Sequence, residues 1–260
     1  MRTFTILLTA LFLVFLTSSI QAAENYSELI NRAGMQRMLS QRIAKAYLYK
    51  GQGISQQEAG HQLNIALTRF QYNHDSLKKI NNSEMKDILS MVESIFSSYK
   101  ALVVKPYKKE DAAAVLDLSE QLLETCQNAV LKLEEISGEK IDNIINISGR
   151  QRMLSQRIAK YYIAYQAGFQ DELSVQKLEE SVSEFYSALK LLRAEKRNNE
   201  RINMLLSKMQ DSWARVAPYF LKNREKGNPA LVMSSADDIN QIADEVTALY
   251  VEIAGAARKK

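Results

Sequence analysis

Two places in the 260-residue chain set a glycine, an arginine and a glutamine along one face of a helix: Gly34, Arg37 and Gln41, and again Gly149, Arg152 and Gln156. Spacings of three and four residues keep each trio aligned, because such positions lie above one another on an α-helix. The chemistry that this trio can do is anion binding. A guanidinium presents a planar fork that donates two parallel charge-assisted hydrogen bonds to an oxyanion or carboxylate. A glycine inside a helix costs about 1 kcal/mol relative to alanine, and its usual return is close approach of a ligand or a second backbone. The competing reading is structural: Arg37 and Arg152 pair with acidic residues of neighbouring helices, and the glycines only let helices cross closely. Gly34 lies well inside its helix, so the helix dipole is not the source of attraction.

The elements that must position these residues follow from the wheel. At 100° per residue Ile30 and Leu48 coincide, and Gly34, Arg37, Gln41 and Ala44 lie within about 40° of that line. A guanidinium and an amide therefore share the stripe that Ile30, Ala33, Ala44 and Leu48 mark as inward-facing. Burying an arginine is costly unless something negative meets it. Arg42, Lys45, Arg157 and Lys160 point away from the stripe, and a solvated face is expected for them.

The trio occurs twice because the chain is duplicated. The ten residues from Gln36 to Lys45 recur without change from Gln151 to Lys160, 115 residues later. Gly53 matches Gly168 at the same offset, and Gly138 matches Gly255 at an offset of 117. A self-similar period of this kind decides the architecture before any local reading does.

Nine Gly and three Pro among 260 residues are less than half of the roughly 12% of average usage. There are too few turns for a sandwich, barrel or doubly wound sheet, which predicts an all-α chain. Each half reads as four helices, near Asn25–Lys50, Ser55–Ile80, Ser83–Val103 and Glu110–Ile136, then near Lys140–Ala167, Glu172–Glu195, Glu200–Leu221 and Pro229–Ala257. Gly53 and Gly168 read as helix-ending glycines, Gly138 and Gly255 likewise. Ser55 with Glu58 spells a capping box, Asn81-Asn82 and Asn198-Asn199 mark the second turn, and Pro106 and Asn228-Pro229 mark the third, since proline is tolerated at a helix start but not inside one. Pro218 falls late in a helix, where it ends or kinks it. Short connections between long helices force antiparallel neighbours, so two tandem antiparallel four-helix bundles are expected, with a pseudo-two-fold packing of one on the other as the arrangement that duplication allows.

Residues 1–23 read as a signal peptide: Arg2, then an apolar run from Phe4 to Leu16, then a small and polar stretch to Ala23. The first repeat then spans 24–138 and the second 139–260. The run is short for a membrane helix, which needs about 20 apolar residues, and the expected location is periplasmic or secreted. A formal net charge of +4 is a mild surplus, and with export it makes nucleic acid an unsuitable partner.

Little else in the sequence carries chemistry. One Cys, Cys126, excludes a disulfide framework and a Cys-based zinc site, and two His, His61 and His74, leave little for a histidine metal site. Cys126 sits on an apolar helical pattern, and His74 beside Asp75 reads as solvated. Trp213, Tyr47, Tyr161, Tyr162 and Tyr165 read as packing residues. No catalytic residue, metal or cofactor is expected, and the chain is not read as an enzyme.

The repeated pattern Ile-Asn-x-x-Gly-x-Gln-Arg-Met-Leu-Ser-Gln-Arg-Ile-Ala-Lys resembles the signature of the PilJ-type domain, the N-terminal region of type IV pilus methyl-accepting chemotaxis transducers. It is also similar to the periplasmic sensor domain of the NarX-type nitrate sensors. The resemblance implies a four-helix sensory module that binds a small anion through the glycine and the arginine three residues later, at a two-fold interface between subunits. Carried over by motif, these are Gly34 with Arg37 and Gly149 with Arg152. Met35 in one half answers to Arg150 in the other, so a pocket drawn from both is asymmetric. The transducers continue into signalling domains, whereas this sequence stops at Lys260, which predicts a binder that presents its occupied state to a membrane-bound sensor or chemotaxis receptor. The protein is then a monomer with internal pseudo-symmetry or a homodimer. The alternative function is a structural or interaction module that docks to a receptor, pilus or envelope component without binding a ligand.

Overall fold

Asparagines precede the third helix of the first half and the last two of the second, and glycines close the first and fourth helices of the first half and the first of the second. The computed structural model describes residues 28–138, 143–221 and 224–258; the expected signal peptide, and the expected helix starts at Asn25 and Lys140, lie outside them. The first half comprises α1 (28–51), α2 (Gln56–Leu77), α3 (Ser83–Val103) and α4 (Lys109–Ser137). The second comprises α5 (Asn143–Gln166), α6 (Glu172–Ala194), α7 (Glu200–Leu221) and α8 (Pro229–Arg258), with one 3-10 turn at Arg224–Lys226 before α8. No strand occurs among the described residues, as the scarcity of breakers requires.

The turn residues act as caps. Asn82 accepts from the Met85 amide at 2.9 Å, Asn199 from Ile202 at 2.9 Å and Asn228 from Leu231 at 3.1 Å, each occupying an otherwise unpaired first-turn donor. Gly53, Gly138 and Gly168 adopt φ of 70°, 62° and 92°, the left-handed conformation that ends a helix and that a Cβ disfavours. Three local expectations are corrected. Ser55 is itself left-handed and makes no side-chain cap bond; its expected partner Glu58 instead accepts from Gln62 at 2.8 Å, so the capping box does not form. Gly255 is helical, within the last turn of α8. Pro218 does not end α7, which runs on to Leu221 with the proline inside it.

In the second half α5 packs on α6 and α8, and α7 closes the ring by packing on both. In the first half α3 packs on α2 and α4, while side-chain bonds tie α1 to all three: Arg32 to Ser76, Tyr99 to the Ser40 carbonyl, and Gln41 to the Ser119 carbonyl. One apolar core runs through both halves, from Met38 and Ile43 to Met153 and Ile158 and out to Trp213 and Tyr250. The outer helices are amphipathic. From Gln36 to Tyr49 in α1, and from Gln151 to Ala164 in α5, every residue is buried except the half-buried Arg42 and Arg157. These two helices are enclosed on all sides.

A candidate anion site where the first helices meet

Full enclosure overturns the expectation of a solvated face for the outer cations. Lys45 and Lys160 are 0% exposed. Each reaches into the other half: Lys45 Nζ donates to Asp237 of α8 at 2.6 Å, and Lys160 Nζ to Glu120 of α4 at 2.7 Å. Arg42 joins the first pair at 3.1 Å and Arg157 the second at 3.2 Å. Asp237 and Glu120 stand 117 residues apart, the offset of the fourth-helix repeat, so the two clusters are equivalent under an approximate two-fold. Burial pushes the Glu120 carboxyl upward, but Lys160 and Arg157 outweigh it and hold it down at about 2; the Asp237 carboxyl is lowered for the same reason by Lys45 and Arg42. Burial lowers both lysines to about 8, which leaves them charged at neutral pH.

The glutamines of the motif bind the fold. Gln41 Nε2 donates to the Ser119 carbonyl at 2.9 Å and Gln156 Nε2 to the Ala236 carbonyl at 3.1 Å, so each joins the first helix of its half to the fourth. Their Oε1 atoms are buried and have no partner among the described residues. Gln36 and Gln151, also fully buried, have neither side-chain amide atom partnered among the described residues.

The arginines of the motif converge. A Cβ built on Gly34 would lie 3.3 Å from Arg37 Nη2 and 3.8 Å from Arg152 Nη2, and one built on Gly149 would lie 3.3 Å from Arg152 Nη2. Both guanidinium groups therefore border the space above Gly34: a Cβ there would crowd the end of Arg37 and meet Arg152 at ordinary van der Waals distance. Arg152 spans the seam: Nη2 donates to Asn31 of the first half at 3.1 Å, Nε to the Gly149 carbonyl at 3.3 Å and Nη1 to Asp244 at 2.6 Å. Arg37 donates through Nη1 to the amide oxygen of Gln127, while its Nε is buried without a partner among the described residues. Among the described residues no carboxylate lies within ion-pair distance of Arg37. Burial, then the neighbouring Arg152 and Arg150 cations, pull its guanidinium down to about 10, which still leaves it charged. Arg150 is itself matched by Glu184, which accepts from it at 3.2 Å.

Other sequence candidates fall outside the seam. His74 is 1% exposed, not solvated, and burial lowers its pKa. Cys126 lies in the core as its pattern predicts, with its thiol pushed up by burial, the reverse of what a nucleophile needs. Two surface clefts, one beside Glu58 and His61 and one between α7 and α8, are lined by neither arginine. What sequence reasoning missed is the fourth-helix set Glu120, Asp237, Gln127 and Asp244. Its signal was present, since the offset of 117 that pairs Gly138 with Gly255 also pairs Glu120 with Asp237 and Gln127 with Asp244.

Fold and site together define a duplicated helical-bundle module with two arginines gathered where its first helices meet. Residues 19–122 and 137–257 each match the family model described as the type IV pili methyl-accepting chemotaxis transducer N-terminal domain, PilJ. The chain belongs to this family, in two tandem copies, and the module is of the chemotaxis-transducer sensory class. Comparisons with curated proteins and with solved structures found no match. No helix among the described residues is long and apolar enough to cross a membrane.

Proposed function

We propose that this protein is an exported sensory module that binds one small anion between Arg37 and Arg152, and presents the bound state to a membrane-bound receptor or sensor. The observation that carries the reading is Arg37: a buried guanidinium beside a second guanidinium, whose side-chain partner among the described residues is a neutral amide. A buried charge is retained at this cost where something of opposite sign meets it. The two halves take the part that two subunits play in a homodimeric sensor, so a single chain supplies both arginines. Residues 1–23 direct the chain across a membrane, and the module acts outside the cytoplasm.

Calorimetric titration with sodium nitrate tests the binding step. Wild type binds one nitrate per chain, and Arg37→Ala and Arg152→Ala each lose that binding; equal heats from all three proteins would overturn the proposal. A thermal-shift series with nitrate, nitrite, sulfate, phosphate and small carboxylates then ranks ligands, because a ligand specific to the folded state raises the Tm.

One observation favours a second reading. Arg152 has a carboxylate partner in Asp244, as expected of a structural bundle that docks to a receptor, pilus or envelope component without a ligand. That reading requires no anion in the screen to raise the Tm.

A further inference from the structure

The two arginines occupy equivalent positions but do not have equivalent partners. Gln127 on α4 and Asp244 on α8 stand at the same place in the two repeats, 117 residues apart. Each accepts from the Nη1 of its own half's arginine. One partner is a neutral amide and the other a carboxylate. We propose that this single difference sets the charge selectivity of the seam: with Arg152 ion-paired to Asp244 and Arg37 in no ion pair among the described residues, the site carries a net positive charge of about one and selects monoanions over dianions. The proposal rests on the anion-binding reading above.

The surrounding charges support that count. Arg150 is matched by Glu184, and Glu134, the carboxylate that does act on Arg37, does so only from beyond ion-pair distance and so offsets its charge in part. Asn31, which reaches Arg152 across the seam, is neutral. A monoanion against Arg37 closes the local balance. A dianion leaves one buried negative charge without a counterpart, which is the arrangement a low-dielectric interior penalises most. The carboxylate at 244 acts as a negative element against the wrong ligand, a common way in which specificity is built. A symmetric homodimer built from one such chain cannot have this arrangement, because identical subunits carry identical partners at both arginines; duplication within one chain allows the two to diverge.

Nitrate and sulfate are the probes, titrated into wild type, Asp244→Gln and Gln127→Asp. The Asp244 side chain is 55% exposed, so its replacement is compatible with folding. Wild type is expected to bind nitrate at least about tenfold tighter than sulfate. Asp244→Gln adds a second uncompensated charge and moves the ratio toward sulfate by about tenfold or more, and Gln127→Asp cancels the first and weakens nitrate by at least a similar factor. Independently of any ligand, Gln127→Asp raises the Tm of the free protein and Asp244→Gln lowers it. If wild type binds both anions and Asp244→Gln leaves their ratio unchanged, the charge count is wrong while the anion site stands. If neither anion binds wild type or Asp244→Gln, both readings fall together.

Discussion

Lys45 of α1 donates to Asp237 of α8 at 2.6 Å, across the boundary between the repeats, and the duplication repeats the contact as Lys160 with Glu120 at 2.7 Å. Neither lysine is exposed. Each half therefore holds the other's central helix by a buried charge, and the bundles interlock.

These locks make a stability prediction. Removing the carboxylate from a buried ion pair strands the cation, at a cost of about 3–5 kcal/mol. Asp237→Asn and Glu120→Gln should each lower the unfolding free energy by about that amount, measured by urea denaturation. A loss below about 1 kcal/mol in both would show that the lysines find other partners, as surface pairs do.

The same carboxylates govern behaviour in acid. Glu120 titrates at about 2 in the folded protein against about 4.3 when unfolded. A depressed carboxylate contributes stability above its unfolded value and loses it as pH falls toward the folded one. Denaturant midpoints should therefore fall between about pH 4.3 and pH 2, with Asp237 adding in the same direction. Glu120→Gln should flatten that fall, and an unchanged slope would remove Glu120 as its source.

Arg37 carries the reverse expectation. In the free protein it is a buried charge whose side-chain partner among the described residues is an amide, so replacement by an apolar side chain of similar length removes a desolvation cost. Arg37→Met should stabilise the ligand-free protein by about 1–4 kcal/mol while abolishing nitrate binding. A destabilised, non-binding variant would instead mark Arg37 as a structural residue.

Gly34 separates binding from folding. Alanine gains helix propensity of up to about 1 kcal/mol, but its Cβ would sit 3.3 Å from Arg37 Nη2 and displace the end of that side chain. Gly34→Ala should fold with near-native stability and lose nitrate affinity by calorimetry. Retained affinity would mean that the arginines need no space above the glycine.

The sequence by itself determined that the chain is helical, that it is duplicated and which residues share the inward stripe. Those properties depend on local quantities: the scarcity of breakers, an offset of 115 residues between identical segments, and a fixed angle per residue. The wheel placed Gly34, Arg37 and Gln41 correctly because they face the interior of the fold whichever way the halves meet. It misjudged Lys45 and Lys160, since a single helix assigns water to any face its own bundle leaves open. His74 was misjudged for a different reason: it is buried within its own half, with Glu93 of α3 3.9 Å away, and the polarity of its neighbour Asp75 does not report that. Only tertiary structure decided that the second bundle covers that open face. Only it joined Lys45 to Asp237 and brought Arg152 to the space above Gly34, because such contacts join residues more than a hundred positions apart and depend on how two amphipathic bundles bury one another. The unequal partners Gln127 and Asp244 were legible as letters, but became a difference in charge only once each was seen against its arginine.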